Sequence, residues 1–146
     1  MKRSKRLQVV LNQAEMKRKQ ADQLLADTQA RIMKGVQTLE QLQQYYAEYA
    51  NNFYASGAAG VSVGQLDTHQ AFMQKLRMAI DQQRRAVESD RQHLEKVREH
   101  WSQVYGRYKA IDSVVERARE DERRLDDKKQ QQQIDERSQL VRTPFI

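Results

Sequence analysis

Apolar residues recur along the first half of the chain at alternating steps of four and three. They are Leu7, Leu11, Ala14, Arg18, Ala21, Leu25, Thr28, Ile32, Gly35, Leu39, Leu42, Tyr46, Tyr49 and Phe53, with Arg18 and Thr28 as polar exceptions. The second half repeats the pattern from Leu66 to Leu125, through Met73, Leu76, Ile80, Val87, Leu94, Val97, Trp101, Val104, Tyr108, Ile111, Val115 and Ala118. Its polar exceptions are His69, Gln83, Asp90 and Glu122. A mean step of about 3.5 residues keeps such positions on one stripe of a helix that faces a partner helix. Between the stripes stand Gly57, Gly60 and Gly64. Glycine loses helix propensity through backbone entropy, so this cluster marks a break. Ser62 and Gln65 have the spacing of a capping box that opens a helix.

The pattern predicts an all-α fold, a long antiparallel two-helix coiled-coil hairpin. The expected bounds are a helix over about 4–54, a loop over about 55–65, a helix over about 66–136 and a tail over 137–146. Together they form a single hairpin domain spanning 1–146. A first helix of that length extends for about 75 Å. Volume matching selects the register that sets Ala21 opposite Trp101 and Ala14 opposite Tyr108, small against large in both layers. In that register the segment from 120 onward has no partner in the chain, leaving an unpaired, charged C-terminal extension.

Half of the ten aromatic residues fall in "QQYYAEYANNFYA", residues 43–55. Tyr45 lies off the stripe, at the heptad position also held on the second helix by Phe72 and Ala79. In an antiparallel pair these positions line one edge, with Leu42, Tyr46, Tyr49 and Leu76 beneath. The result is an apolar strip wider than a two-stranded coil needs. Exposed aromatics beside a seam bury much area at low entropic cost, which favours a docking patch over simple shielding of the seam. The opposite edge carries Arg77, Arg84, Arg91 and Arg98, one per heptad. Asp22 is placed to reach Arg98, while Asp81 and Glu88 are placed to pair within the second helix.

Composition narrows the chemistry. The formal net charge is +6, but acidic residues are interspersed almost throughout, so the charge reads first as solubility for a long thin helix. There is no cysteine, which excludes disulfides and thiol catalysis. "GAAGVSVG" lacks the Lys-Ser/Thr ending of a phosphate loop. His93 and His100 stand seven residues apart, about 10 Å along a helix, too far to share a metal ion directly. His69 reads as a tolerated polar layer in the seam. No cofactor and no metal site is expected, and a two-helix rod offers no place for nucleophile, base and oxyanion donors, so no enzyme activity is expected. Nucleic acid is not an expected partner, because the arginine edge and the aromatic edge are opposite. No apolar window reaches the ~18–20 residues of a membrane span, and the expectation is a soluble intracellular protein without direct membrane insertion.

The segments "YAEYANNF" at 46–53 with Tyr45 before it, "QAFMQKLRMAIDQQ" at 70–83, Trp101 in "REHWSQV" and "DDKKQQQQIDE" at 126–136 carry a family resemblance. The chain resembles the FliJ family, the small coiled-coil component of the bacterial flagellar protein-export apparatus. The resemblance implies a non-enzymatic stalk and adaptor, similar in arrangement to the central stalk of rotary ATPases. Its implied partners are the hexameric flagellar export ATPase, the cytoplasmic domain of the membrane export gate, and export chaperones. Its implied place is the cytoplasm, peripheral at the inner-membrane export apparatus. Carried over by position, the gate-binding residues are Leu42, Tyr45, Tyr49, Phe72, Leu76, Ala79 and Gln83. Gln83 stands where the family pattern has a histidine, and Thr38 where it has a longer polar residue. The ATPase contact is assigned by location to Lys2, Arg3, Lys5, Arg6, Lys17 and the helix over 119–136. The alternatives are the equivalent stalk of a virulence-type secretion system and a self-associating structural coiled coil.

Overall fold

A computed structural model describes residues 2–57 and 60–141. Among these residues the protein is all-α, with two long helices, α1 (Arg3–Gly57) and α2 (Val63–Val141), and no strand. Two residues of the expected loop, 58 and 59, and the last five of the expected tail, 142–146, lie outside the described residues.

The helix ends follow local chemistry more closely than the apolar stripe does. α1 continues past Tyr54 to Gly57, and the Gly60 N–H donates to the Gly57 carbonyl at 3.1 Å. Gly60 has φ +90°, a left-handed conformation that side chains with a Cβ rarely adopt. α2 opens at Val63 because Ser62 is its N-cap. The Gln65 N–H donates to Ser62 Oγ at 3.2 Å, and the Ser62 N–H donates to Gln65 Oε1 at 3.1 Å. The Ser62 carbonyl accepts the first helical bond, from the Leu66 N–H at 3.0 Å. The cap therefore starts the helix three residues before the first stripe residue, Leu66, which is itself exposed. At the other end α2 runs through Gln, Glu, Arg and Leu, all good helix formers, to Val141.

The chain divides into two compact units. In the unit Ala21–Trp101, α1 and α2 run antiparallel. Asp22 meets Trp101, Arg31 meets Asp90, Gly35 meets Gln83, and Phe53 meets His69. Ala21, Met73, Leu76, Ile80, Val87, Leu94 and Val97 form its buried stripe. The polar exceptions in this stripe are answered in place. Buried Thr28 donates from Oγ1 to the Leu24 carbonyl at 2.7 Å. Asp90 is met by Arg31 Nε at 3.4 Å. Gln83 donates from Nε2 to the Gly35 carbonyl at 2.9 Å, across the helix pair. Gly35 permits that approach: a Cβ there would stand 3.2 Å from Val87 Cγ2 and 3.5 Å from Gln83 Nε2.

The second unit comprises Met1–Gln20 and Ser102–Ile146. Leu11, Ala14, Val115 and Ala118 are buried, and Val115 has no exposed surface. The Arg18 guanidinium lies over the Tyr108 ring, 4.9 Å from its centroid. This stacks the charge on an aromatic face while its stem covers the stripe.

The extension expected to be unpaired from 120 onward is engaged as far as Asp126, because this end of the pair sets Ser4 and Lys2 against it. Lys2 pairs with Asp126 at 3.5 Å, and Glu122, a polar exception in the stripe, holds the start of α1. No acidic residue lies in the first turn of α1, so its free N–H groups lack a local anion. Glu122 supplies one from the other helix. Ser4 Oγ donates to Glu122 Oε2 at 2.6 Å, and the Ser4 N–H donates to Oε1 at 3.0 Å. The Ser4 hydroxyl first, and then its backbone N–H, hold the carboxyl below its ordinary value of 4.5. A lowered carboxyl pKa gives a contribution that is complete above the unfolded value and lost as pH falls through the folded one. Amide protection at Ser4 should therefore drop as pH falls below that ordinary value. Glu122→Gln should already show reduced protection at neutral pH and no acid step. Native-state hydrogen exchange at Ser4 across this range checks both.

Candidate docking surfaces

The expected gate-binding residues all belong to the unit Ala21–Trp101. Tyr45 and Phe72 meet edge to face, with centroids 6.5 Å apart. Phe72 lies 4.5 Å from Tyr49, tilted by 49°. Tyr45 is 54% exposed, while Tyr49 and Phe72 are half-buried. Leu76 is buried, and Leu42, Ala79 and Gln83 are half-buried. Three rings from two helices thus meet on a surface whose base is packed. A rigid aromatic group that is already fixed in place loses little entropy when a partner covers it.

Gln83 has a different role from its neighbours. Its amide is bonded to the Gly35 carbonyl, so it serves the contact between the helices. The sequence offers a signal for this: Gln83 sits in the stripe, with a glycine at the position it can reach on α1.

His69 is the residue sequence reasoning undervalued. Its ring stacks on Phe53, with centroids 3.6 Å apart and planes within 13°. It also stacks on Tyr49, 5.3 Å away and within 8° of parallel. Phe53 in turn meets Tyr54 edge to face at 6.4 Å. Tyr49, Phe53 and His69 line an open cleft beside the loop, together with Val61, Ser62 and Gln65.

The arginine edge is only partly engaged within α2. Arg84 pairs with Asp81 at 3.8 Å and Arg98 with Glu95 at 3.2 Å. The Asp22 carboxylate, expected near Arg98, accepts from Trp101 Nε1 at 2.6 Å. Exposed pairs of this kind within one helix contribute about 0.3–0.5 kcal/mol each.

The expected ATPase-binding residues belong to the other unit. Lys2, Arg3, Lys5, Arg6 and Lys17 are all exposed. Lys2 pairs with Asp126 at 3.5 Å, and Arg3, Lys5, Arg6 and Lys17 make no ion pair among the described residues. Arg3, Lys5 and Arg6 are thus gathered at the start of α1, with Lys2 just before it and Lys17 about 16 Å further along the helix. Beyond Asp126 every described residue of α2 is exposed, including Ile134, Leu140 and Val141.

Among the described residues no three His, Asp or Glu side chains gather as a metal cluster. No helix among them is long and apolar enough to cross a membrane. A family model described as "Flagellar FliJ protein" matches residues 3–142. No curated protein and no solved structure matches the chain.

Proposed function

From a chain that belongs to the FliJ family of flagellar proteins, we propose a stalk and adaptor that links the hexameric export ATPase to the cytoplasmic domain of the membrane export gate. The family implies a component of the flagellar export apparatus, an adaptor and not an enzyme. The finer reading is ours. The chain is an antiparallel coiled-coil hairpin with a charged C-terminal extension. It works in the cytoplasm, peripheral to the inner-membrane apparatus, and assists delivery by export chaperones.

The Tyr45–Phe72–Tyr49 ring group carries this reading. It supplies an exposed aromatic anchor on a packed base, the form that dominates binding energy at protein interfaces. Leu42, Leu76 and Ala79 complete the gate-binding surface, and Gln83 supports it from within. The ATPase contact belongs to Lys2, Arg3, Lys5, Arg6 and Lys17, with α2 over 119–136, whose residues beyond Asp126 are all exposed. Its support is the set of exposed cations and a long helical segment beyond Asp126 whose described residues are all exposed. An isolated helix of about 15 residues is marginal in water, so a partner that covers it gains its ordering.

The test is a variant with Tyr45, Tyr49 and Phe72 all replaced by alanine. Binding to the purified gate domain should be lost, and stimulation of the ATPase should persist. Loss of both together, with helicity unchanged, would show that a single site serves both partners.

A further inference from the structure

We propose that His69 is the positioning residue of the aromatic docking surface, and that this surface extends through it to Phe53 and Tyr54. The inference rests on the gate-binding reading above. Its observation is a continuous chain of six rings: Tyr45, Phe72, Tyr49, His69, Phe53 and Tyr54. The first three were expected to act together. His69 joins them to the last two.

The geometry fixes what kind of joint this is. Tyr49 and Phe53 are four residues apart on α1, so their side chains occupy the same face one turn apart. The imidazole from α2 lies parallel to both rings. Tyr49 is therefore bounded by Phe72 and by His69, both from α2. Removing the imidazole frees Tyr49 on that flank and separates the two ring groups.

Hydrogen bonding does not hold His69 there. Its Nδ1 is buried and has no hydrogen-bond partner among the described residues. A buried polar atom without a partner opposes burial of the ring. Stacking on two aromatic faces is what keeps the ring in place. An apolar ring should then perform the same task at least as well, and a polar side chain without a ring should not. This separates positioning by stacking from a hydrogen-bonding or polar-layer role.

The experiment uses the full chain and measures affinity for the purified gate domain and, separately, for the ATPase. His69→Ala should weaken gate binding on the order of tenfold, as expected for loss of two ring contacts. His69→Phe should restore it and His69→Gln should not, while ATPase affinity stays unchanged in all three. Proton NMR supplies a readout that needs no partner: the part of the Tyr49 and Phe53 ring-current shifts that comes from the His69 ring should be lost in His69→Ala and return in His69→Phe. Gate affinity unchanged in His69→Ala, or restored by glutamine as well as by phenylalanine, would overturn the proposal. The triple alanine variant of Tyr45, Tyr49 and Phe72 runs alongside. If that variant binds the gate normally, the gate-binding reading fails. If it loses binding while His69→Ala retains it, only the role of His69 fails.

Discussion

Gly35→Leu should open the Ala21–Trp101 unit at its centre and weaken gate binding with it. A single Cβ at this position would already stand 3.2 Å from Val87 Cγ2, and Val87 is buried. A leucine adds three more carbons into the same space. Overpacking of this kind costs about 1–3 kcal/mol when neighbours cannot yield. The Gln83 bond to the Gly35 carbonyl, at 2.9 Å, would break as the helices part. The freed carbonyl keeps its helical bond, but the half-buried amide loses its partner, which adds about 1 kcal/mol. Gly35→Ala provides the comparison. Alanine gains about 1 kcal/mol in helix propensity over glycine, which offsets most of the tight contact with Val87. Urea denaturation should therefore place the alanine variant near the parent and the leucine variant well below it. Equal midpoints for the two variants would show that Val87 moves aside freely.

The two-period rhythm of the chain was enough to read the all-α class and the two long helices. It works because a stripe of Leu, Ile, Val and Ala has one physical use, burial against another helix. The aromatic strip was equally readable, since Tyr45 and Phe72 break the pattern in the same way on both halves. The polar exceptions were harder. A stripe position filled by Gln83, Asp90 or Glu122 says only that something must satisfy it. Which group does so depends on a few ångströms of side-chain reach. Asp90 found Arg31, a residue off the stripe. Glu122 found the free N–H at the start of α1, a donor that exists only because that helix begins there. Trp101 chose the Asp22 carboxylate, a partner that volume matching with Ala21 does not reveal. His69 was misjudged for a related reason. As a lone histidine in a stripe it reads as polar, but between Tyr49 and Phe53 it behaves as an aromatic ring. The start of α2 was legible in the Ser62–Gln65 box, while the expected bound of about 66 followed the stripe instead. The Ser62–Gln65 box starts α2 before anything on it is packed.

Val115→Asp should disable the opposite function, unfolding the unit Met1–Gln20 with Ser102–Ile146 and leaving gate binding in place. Val115 is the one large side chain among the described residues with essentially no exposed surface. A carboxylate there would stand in the same buried apolar stripe as Leu11, Ala14 and Ala118. An unpaired buried charge costs about 3–5 kcal/mol even after relaxation. A unit with two helices and a single buried stripe has little stability to lose. As the stripe opens, Ser4 separates from Glu122, and the basic first turns of α1 lose their anchor. Stimulation of the ATPase should fall to the background level. The aromatic group lies wholly in the other unit, so gate affinity should remain within about twofold of the parent, as distant sites without shared partners behave independently. Hydrogen exchange should map the loss of protection to residues 3–20 and 102–122, with 40–80 unchanged. Val115→Asp and Gly35→Leu then form a crossed pair, each weakening one contact and sparing the other. If either variant lost both partners, the two contacts would depend on one cooperative structure, and the division of labour between the units would be wrong.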